Sequence, residues 1–473
     1  MKPMAELRDP LRGNLPWQGC RVGILGLGIS GRAAARLLLE RGARVVAFDD
    51  RPASEFTPES LAEARRYEAV HLATGIDPGV ALDSVEALVC SPGVAATHPV
   101  LAEAERRGIP TLSEIELATR LVRGPVIAIT GTNGKSTTAT LIHQCVRGAG
   151  LRSSLGGNIG TAASDLVGGL GDEDVLVLEV SSFQLERIQS FHPRVAVLTN
   201  IAPDHLNRYD GVAAYAAAKH NILMNADAED FFVFPAGDVF GEAWAKETPA
   251  RCLRFAATAI SSLVEGGGDG SWVQDGFIMR RLGERLERVV AVDELVLSGL
   301  HNYANVCASV CALAGIDVSP EQLATALRQV KALPHRNELV LERAGLRFVD
   351  DSKATNVHAA ATCLAASRGP VVALLGGRGK GEDYTPLRDA VQSVRWAVCY
   401  GEEGPALAKA LSGLVETRCV ASLATALALV EEVAMDGDLI LLSPACASFD
   451  EFRSFEHRGD FFREWALHWG TNR

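Results

Sequence analysis

The 473-residue chain contains no uncharged apolar run of ~18 residues, the length a membrane-spanning helix needs, so no transmembrane segment is expected. Its start, Met1-Lys2-Pro3-Met4-Ala5-Glu6-Leu7-Arg8-Asp9, lacks the apolar stretch of a secretion signal. There is no CxxC and no zinc-type cysteine spacing. The ten cysteines are scattered, and the nearest pair, Cys307 and Cys311, has helical spacing. This usage excludes a disulfide framework and predicts reduced, mostly buried thiols in a cytoplasmic protein. A basic excess is missing too. The net charge of −12 excludes a broad nucleic-acid surface but leaves a small anionic substrate open. Internal repeats and low-complexity tracts are absent. What is present, 48% hydrophobic and 22% charged residues, is the composition of a globular chain with substantial cores. At ~150 residues per domain, the length predicts about three domains.

The most informative segment is Thr130-Gly131-Thr132-Asn133-Gly134-Lys135-Ser136-Thr137. It follows the β-like run Val126-Ile127-Ala128-Ile129 and opens a helical stretch to about Ala149. A strand, a glycine-containing turn and a Lys-Ser helix start build a backbone cradle for nucleotide phosphates. Glycines let N–H groups close on the anion, the helix N-terminus adds positive potential, and Lys135 neutralises the outer phosphates. Ser136 then stands where a phosphate-bound Mg²⁺ is held. The general P-loop has a glycine five residues before its Gly-Lys, a place Ile129 occupies here, so GTNGKST is a shortened variant. ATP use is the expectation.

Upstream, Arg21 to Leu25 reads as a strand, Gly26-Leu27-Gly28-Ile29-Ser30-Gly31 as a GxGxxG turn, and the run to Gly42 as a helix. A second strand ends at Asp49-Asp50, which completes a βαβ start. Alone, this pattern predicts dinucleotide binding, but a nicotinamide-dependent oxidoreductase leaves GTNGKST unexplained. A helix over Ser113 to Val122 leads into the P-loop strand, so a domain boundary is set near Ser113. A helix is expected over Gly211 to Asn225, hairpins over Gly266 to Leu297, and helices over Asn302 to Gly315 and Pro320 to Val330. Leu333-Pro334 reads as a hinge. Beyond it, the strand patterns Val371 to Leu375, Trp396 to Tyr400 and Leu439 to Leu442 alternate with Ala/Leu-rich helices, which makes a third α/β unit.

Polar residues cluster where strands end, the place α/β folds put their sites. Glu179 ends an apolar strand one strand from the P-loop, a place suited to holding Mg²⁺ directly or through water. His205, in Asn200 to Arg208, is open between metal ligand and cap. Lys219, in Tyr215-Ala216-Ala217-Ala218-Lys219-His220, reads by itself as a solvated helix lysine.

Taken in order, these segments resemble the Mur ligases of peptidoglycan precursor synthesis. The likeness includes GTNGKST, Gly156-Gly157-Asn158-Ile159-Gly160, Leu178 to Glu186, Asp204-His205 and Gly299 to Asn305. It continues through Leu333-Pro334-His335-Arg336, Asp351 to Asn356, Leu375 to Lys380 and Leu442 to Asp450, covering about residues 20 to 460. The resemblance implies three α/β domains: a Rossmann-like one for UDP (1–113), a P-loop ATPase-like one (114–333) and a Rossmann-like one for the incoming amino acid (334–473). It implies ATP-dependent ligation of D-glutamate to UDP-N-acetylmuramoyl-L-alanine by a cytoplasmic monomer, in cell-wall synthesis that supports cell shape and division. Neither nucleic acid nor membrane is implied.

By the same likeness Gly131, Thr132, Asn133, Gly134, Lys135, Ser136 and Thr137 cradle ATP, with Asn302 and Asn305 near adenine, Arg336 at phosphate and Asp351 at ribose. Two Mg²⁺ ions are implied, one served by Ser136 and Glu179, the other by His205 and by Lys219 as a carbamate. Ser30, Gly31, Asp49, Arg51 and Gly93 would line the UDP pocket, while Asn158, Ser181, Gln184 and Arg208 would touch the sugar nucleotide. D-glutamate would meet Thr355, Lys380, Ser448 and Phe455, because a dicarboxylate losing its water needs donors and a cation.

Overall fold

A computed structural model describes residues 17–73, 77–205, 208–297, 299–331 and 334–470. Leu333 of the expected hinge, Leu206 and Asn207 of the Asn200–Arg208 motif, and the N-terminal nine residues lie outside the described residues. The chain divides into two compact units, Met1–Val330 and Lys331–Arg473.

The first unit carries two sheets. The strands of the smaller sheet run, from edge to edge, Ala69–Leu72, Arg44–Asp49, Arg21–Leu25, Ala87–Cys90 and Thr111–Ser113, all parallel. Its central strands are continuous apolar runs because helices cover both faces. Chain order reverses between Arg21–Leu25 and Ala87–Cys90, which opens a crevice at their carboxyl ends, the usual ligand position in such sheets.

The second sheet has nine strands: Arg285–Ala291, Phe277–Leu282, Gly270–Gln274, Arg251–Ala256, Phe231–Pro235, Val195–Leu198, Val126–Thr130, Val175–Glu179 and Ser153–Gly157. The P-loop strand Val126–Thr130 lies between Val195–Leu198 and Val175–Glu179, with Ile129 beside both Val197 and Glu179. The expected hairpins are the first three strands. Asp275 and Gly276 both take positive φ at the first turn (50° and 78°), which matches the twist of a two-residue hairpin. The expected helix to Asn225 is shorter: Gly211–His220 gives way to a 3₁₀ turn, Asn221–Leu223. Asn225 instead ties off the chain by donating its side-chain amide to the carbonyls of Gln189 and Phe191, at 3.0 Å each.

One hydrophobic core runs through both sheets of this unit. Val22, Val45 and Leu112 of the smaller sheet pack in the same cluster as Ile115 on helix Glu114–Thr119, Phe191 in a loop, and Leu178 and Phe232 of the larger sheet. Polar ties join the same parts: Arg36 forms a two-pronged pair with Asp165 (3.0 and 2.7 Å), and Glu116 accepts from the backbone of Gln189, Ser190 and Phe191.

The second unit is built on one six-stranded sheet: Glu338–Arg343, Leu346–Asp350, Leu439–Ala445, Val371–Gly376, Val394–Tyr400 and Glu416–Cys419. Only the first pair is antiparallel. Its two faces carry separate cores, one around Leu375, Leu387 and Leu441, the other around Phe348, Leu374 and Phe462.

Candidate functional site

In the smaller sheet the GxGxxG turn is set by close packing. A Cβ on Gly31 would lie 1.8 Å from the Gly26 carbonyl, so helix Ile29–Glu40 approaches its strand only with glycine there. Gly28 caps that helix with no side-chain bond, and the first turn holds no acid, which leaves its N–H groups facing a cavity of about 660 Å³. Ser30, Asp49, Arg51, Gly93 and, from the larger sheet, Asn158 line it. Asp49 is occupied by protein: it accepts from Leu27 N–H (2.6 Å), from Arg51 N–H (3.0 Å) and from the Arg51 guanidinium (2.9 and 2.8 Å). Burial alone would raise its carboxyl, but those bonds outweigh burial and hold it below the usual aspartate range. The cavity also has Asp50 and His98 in its lining, joined at 3.2 Å, neither of which sequence reasoning picked out.

Arg208 bridges the two sheets. It donates to Glu186 (2.7 Å) and to the carbonyls of Pro92 (3.4 Å) and Val94 (3.1 Å), and stacks 4.1 Å over the Phe183 ring, while its buried Nε has no partner among the described residues. The Pro92–Val94 loop contains Gly93, so Arg208 fixes the rim of the cavity. Ser181 and Gln184 form a capping box on helix Ser182–Leu185, bonding each other at 3.0 and 3.3 Å.

The P-loop has the strand–turn–helix form expected of it. Gly131 takes φ 136°, and a Cβ there would lie 2.0 Å from Thr199 Oγ1; Gly134, at φ 81°, caps helix Lys135–Gly148. Thr132 and Asn133 are bound down by Ala202 and Asn200, Ser136 and Thr137 are buried, and Asn305 takes a 3.3 Å bond from Thr138. Asn302 sits on the same helix as Asn305, Leu300–Ala314.

Lys135 folds its ammonium onto the carbonyls of Gly131 (2.9 Å) and Thr132 (2.7 Å). Lys219, 1% exposed, donates to the same Gly131 carbonyl at 2.8 Å and lies 4.5 Å over the Tyr215 ring. Burial, and then the neighbouring charge of Lys135, push the Lys219 ammonium far below its ordinary value, against the pull of Asp204 and Glu179. The solvated-lysine reading therefore fails, because helix Gly211–His220 turns this residue inward. Glu179 is buried at its strand end and accepts from Asn158 at 3.0 Å. His205, at φ 55°, meets the Phe183 ring edge-on at 4.8 Å, with Asp204 beside it. Tyr215 and Asp204 are contributors that sequence reasoning passed over as site residues; the adjacent Asp-His pair was the available signal.

In the second unit Asp351, Thr355, Lys380 and Ser448 sit on loops at the carboxyl ends of parallel strands and Phe455 on the helix that follows, whereas Arg336 precedes the antiparallel strand Glu338–Arg343. Asp351 accepts from Ser443 (2.8 Å) and from Asn337 N–H (3.2 Å), and desolvation pushes its carboxyl up to about 6. Thr355 follows in the same loop, Lys380 is exposed in the Gly376–Lys380 turn, and Ser448 is buried after strand Leu439–Ala445. Phe455 opens helix Phe455–Leu467, with Lys353 4.0 Å above its ring. Arg336 is partly buried next to His335, whose Nδ1 lies 2.6 Å from Asp350.

Three family models match in succession: the Mur ligase MurD-like N-terminal domain over residues 20–113, the Mur ligase middle domain over 129–313, and the Mur ligase glutamate ligase domain over 335–446. The UDP-N-acetylmuramoylalanine–D-glutamate ligase of Pelotomaculum thermopropionicum is 39% identical over 94% of this chain and 97% of its own length. That of Geobacillus kaustophilus is 37% identical over 94% and 97%. Among solved structures, a pseudomurein peptide ligase type C from Methanothermus fervidus superposes with a TM-score of 0.59 at 16% identity, over 95% of this chain and 99% of that one. MurF ligase from Thermotoga maritima, solved with ADP, gives 0.57 at 16% identity over 95% and 96%, a likeness of fold. With all three domain models matched in order and full-length relatives this similar, the chain belongs to the Mur ligase family.

Proposed function

We propose that this chain is an ATP-dependent ligase that joins D-glutamate to UDP-N-acetylmuramoyl-L-alanine, working as a monomer in the cytoplasm. The observation that carries the reading is its end-to-end similarity to relatives bearing that name. Residues 1–113 would bind the UDP moiety, 114–333 ATP, and 334–473 the amino acid.

A carboxylate is a poor acceptor for an amine, so the substrate carboxylate first takes the γ-phosphoryl group of ATP as an acyl phosphate and ADP leaves. The unprotonated amine of D-glutamate then attacks the carbonyl, and the tetrahedral intermediate collapses with loss of phosphate. Lys135 would leave its two loop carbonyls for the outer phosphates, within the N–H cradle of Gly131 to Thr137. Asn302 and Asn305 would flank the adenine, Arg336 a phosphate and Asp351 the ribose. Ser30, Gly31, Asp49, Arg51 and Gly93 would hold UDP, and Asn158, Ser181, Gln184 and Arg208 the sugar nucleotide.

The donor chemistry fits magnesium: the Ser136 hydroxyl and the Glu179 carboxylate are hard oxygens, and His205 adds an imidazole. Lys219 as an ammonium does not fit, but as a carbamate it would give an anionic oxygen, and its lowered basicity favours the neutral amine that CO₂ requires. Bound there, two Mg²⁺ ions would offset charge on the transferring phosphoryl group. Thr355, Lys380, Ser448 and Phe455 would receive D-glutamate.

Phosphate release, measured with substrates omitted one at a time, tests the reading. It should require ATP, the UDP-muramoyl substrate and D-glutamate together. Faster release with L-alanine, L-lysine or diaminopimelate would assign the chain to another member of the family.

A further inference from the structure

Arg458 is 0% exposed on helix Phe455–Leu467 and forms no ion pair among the described residues. Its hydrogen bonds all go to neutral groups, and the Glu451 carboxylate feels its charge without pairing to it. Nε donates to Ser352 Oγ (2.9 Å), Nη2 to the Ser352 carbonyl (2.7 Å), and Nη1 to the carbonyls of Cys446 (3.0 Å) and Gly376 (3.4 Å). Burying a cation without a carboxylate is costly, so such a residue persists where its geometry or its field is used.

Both uses point to one place. Ser352 lies three residues before Thr355, Gly376 opens the turn that carries Lys380, and Cys446 lies two residues before Ser448. Phe455 begins the helix that bears Arg458, and its carbonyl accepts from Ser352 Oγ at 2.8 Å. Two of the three loops are also paired directly, because Arg378 and Ala447 exchange backbone bonds of 2.8 and 3.0 Å. Space beneath that pairing is tight. A Cβ on Gly377, at φ 125°, would lie 2.2 Å from the Ala447 carbonyl and 3.1 Å from Arg458 Nη1.

We propose that Arg458 is a positioning residue for the amino-acid pocket. Its planar fork sets the spacing of the three strand-end loops, and its unpaired charge biases the pocket behind them toward a dicarboxylate. This rests on the proposed amino-acid role of the second unit. A fork with five fixed donors can bind three loops at once, whereas an ammonium on a flexible stem cannot, so Lys is not an equivalent here.

The test is steady-state ligation by Arg458→Lys and Arg458→Met, with melting temperatures measured alongside. Losing charge-assisted bonds should raise the KM for D-glutamate by roughly 10-fold in the Lys variant and ~100-fold in the Met variant. The KM for the UDP-muramoyl substrate should stay within about 2-fold of wild type, since the clamp touches none of its proposed residues, and the KM for ATP should rise less than that for D-glutamate, since Ser352 adjoins only Asp351 of the proposed ATP residues. Ser352→Ala, which removes one acceptor of the fork, should show the same split at ~3- to 10-fold and decides the matter if the Met variant does not fold. Unchanged KM for the amino acid, or all three KM values moving together, would overturn the proposal. Each variant is scored on whichever amino acid the wild-type enzyme uses, so a wrong D-glutamate assignment and a wrong clamp give different results.

Discussion

Lys219 and Lys135 donate to one carbonyl oxygen, that of Gly131, at 2.8 and 2.9 Å. Two ammonium groups sharing one acceptor in a buried site cannot both keep their protons cheaply, and the more buried one gives way. Burial, and then the charge of Lys135, lower the basicity of Lys219, and a neutral amine is the form that adds CO₂. Lys219→Ala should therefore lower turnover by ~10²-fold or more, and added formate or acetate should restore part of it by supplying the missing oxygen. Carbon-13 NMR of active enzyme in labelled CO₂ gives the direct check: a free amine alone would rule the carbamate out. Sequence could flag this lysine only through the family likeness. Its neighbours, three alanines and a histidine, carry no sign of burial, and the charge that shifts it comes from a loop 84 residues earlier, as Lys135 and Lys219 are numbered. Arg458 was invisible for the same reason: in Phe455-Glu456-His457-Arg458-Gly459-Asp460 an arginine among charged neighbours reads as solvated, and only three distant carbonyls bury it.

Between elements, the junction of the two sheets in the first unit carries an ionisable group of its own. Helix Glu114–Thr119 begins where strand Thr111–Ser113 ends, and the Glu114 carboxylate accepts from Ser164 N–H (2.5 Å) near the start of helix Ala163–Leu166. Burial pushes that carboxyl from 4.5 up to about 7, while the bond from Ser164 opposes the rise. Below pH ~4.5 both folded and unfolded chains hold the proton; as pH rises toward 7 the unfolded chain loses it first, so stability falls. Above that interval the accumulated cost is ~3 kcal/mol. Glu114→Gln should thus raise the melting temperature at pH 8 and leave it nearly unchanged at pH 4.5. An equal effect at both pH values would show that ionisation is not the cause. Elements with strong signals were legible in the sequence: the P-loop strand and helix, the βαβ start, and the hairpin turn at Asp275-Gly276. Strand Ser153–Gly157 was not, since serine and glycine are poor strand formers. It exists because Gly157, at φ 96°, lets the backbone close on the Glu179 carbonyl, a contact made across the sheet.

For the whole molecule, the functional division proposed from the family likeness and the division by packing do not coincide. The boundary near Ser113 separates the proposed UDP and ATP regions, yet one core continues through it, from Leu112 to Ile115, Leu117 and Ala118 and on to Phe191. The expected hinge at Leu333-Pro334, by contrast, lies near the border of the two compact units, Met1–Val330 and Lys331–Arg473. The second unit owns both of its cores, one on each face of its sheet. A fragment of residues 331–473 should accordingly unfold in one cooperative thermal transition when followed by circular dichroism. A fragment of residues 1–113 should melt at least ~10 °C below the intact chain or without a cooperative transition, because cutting there exposes apolar side chains such as Leu112 and removes the Asp165 partner of Arg36. If the shorter fragment instead melted as sharply and as high as the full chain, the shared core would not be what joins the two sheets. The UDP and ATP regions could then move independently. A continuous core predicts that they move together.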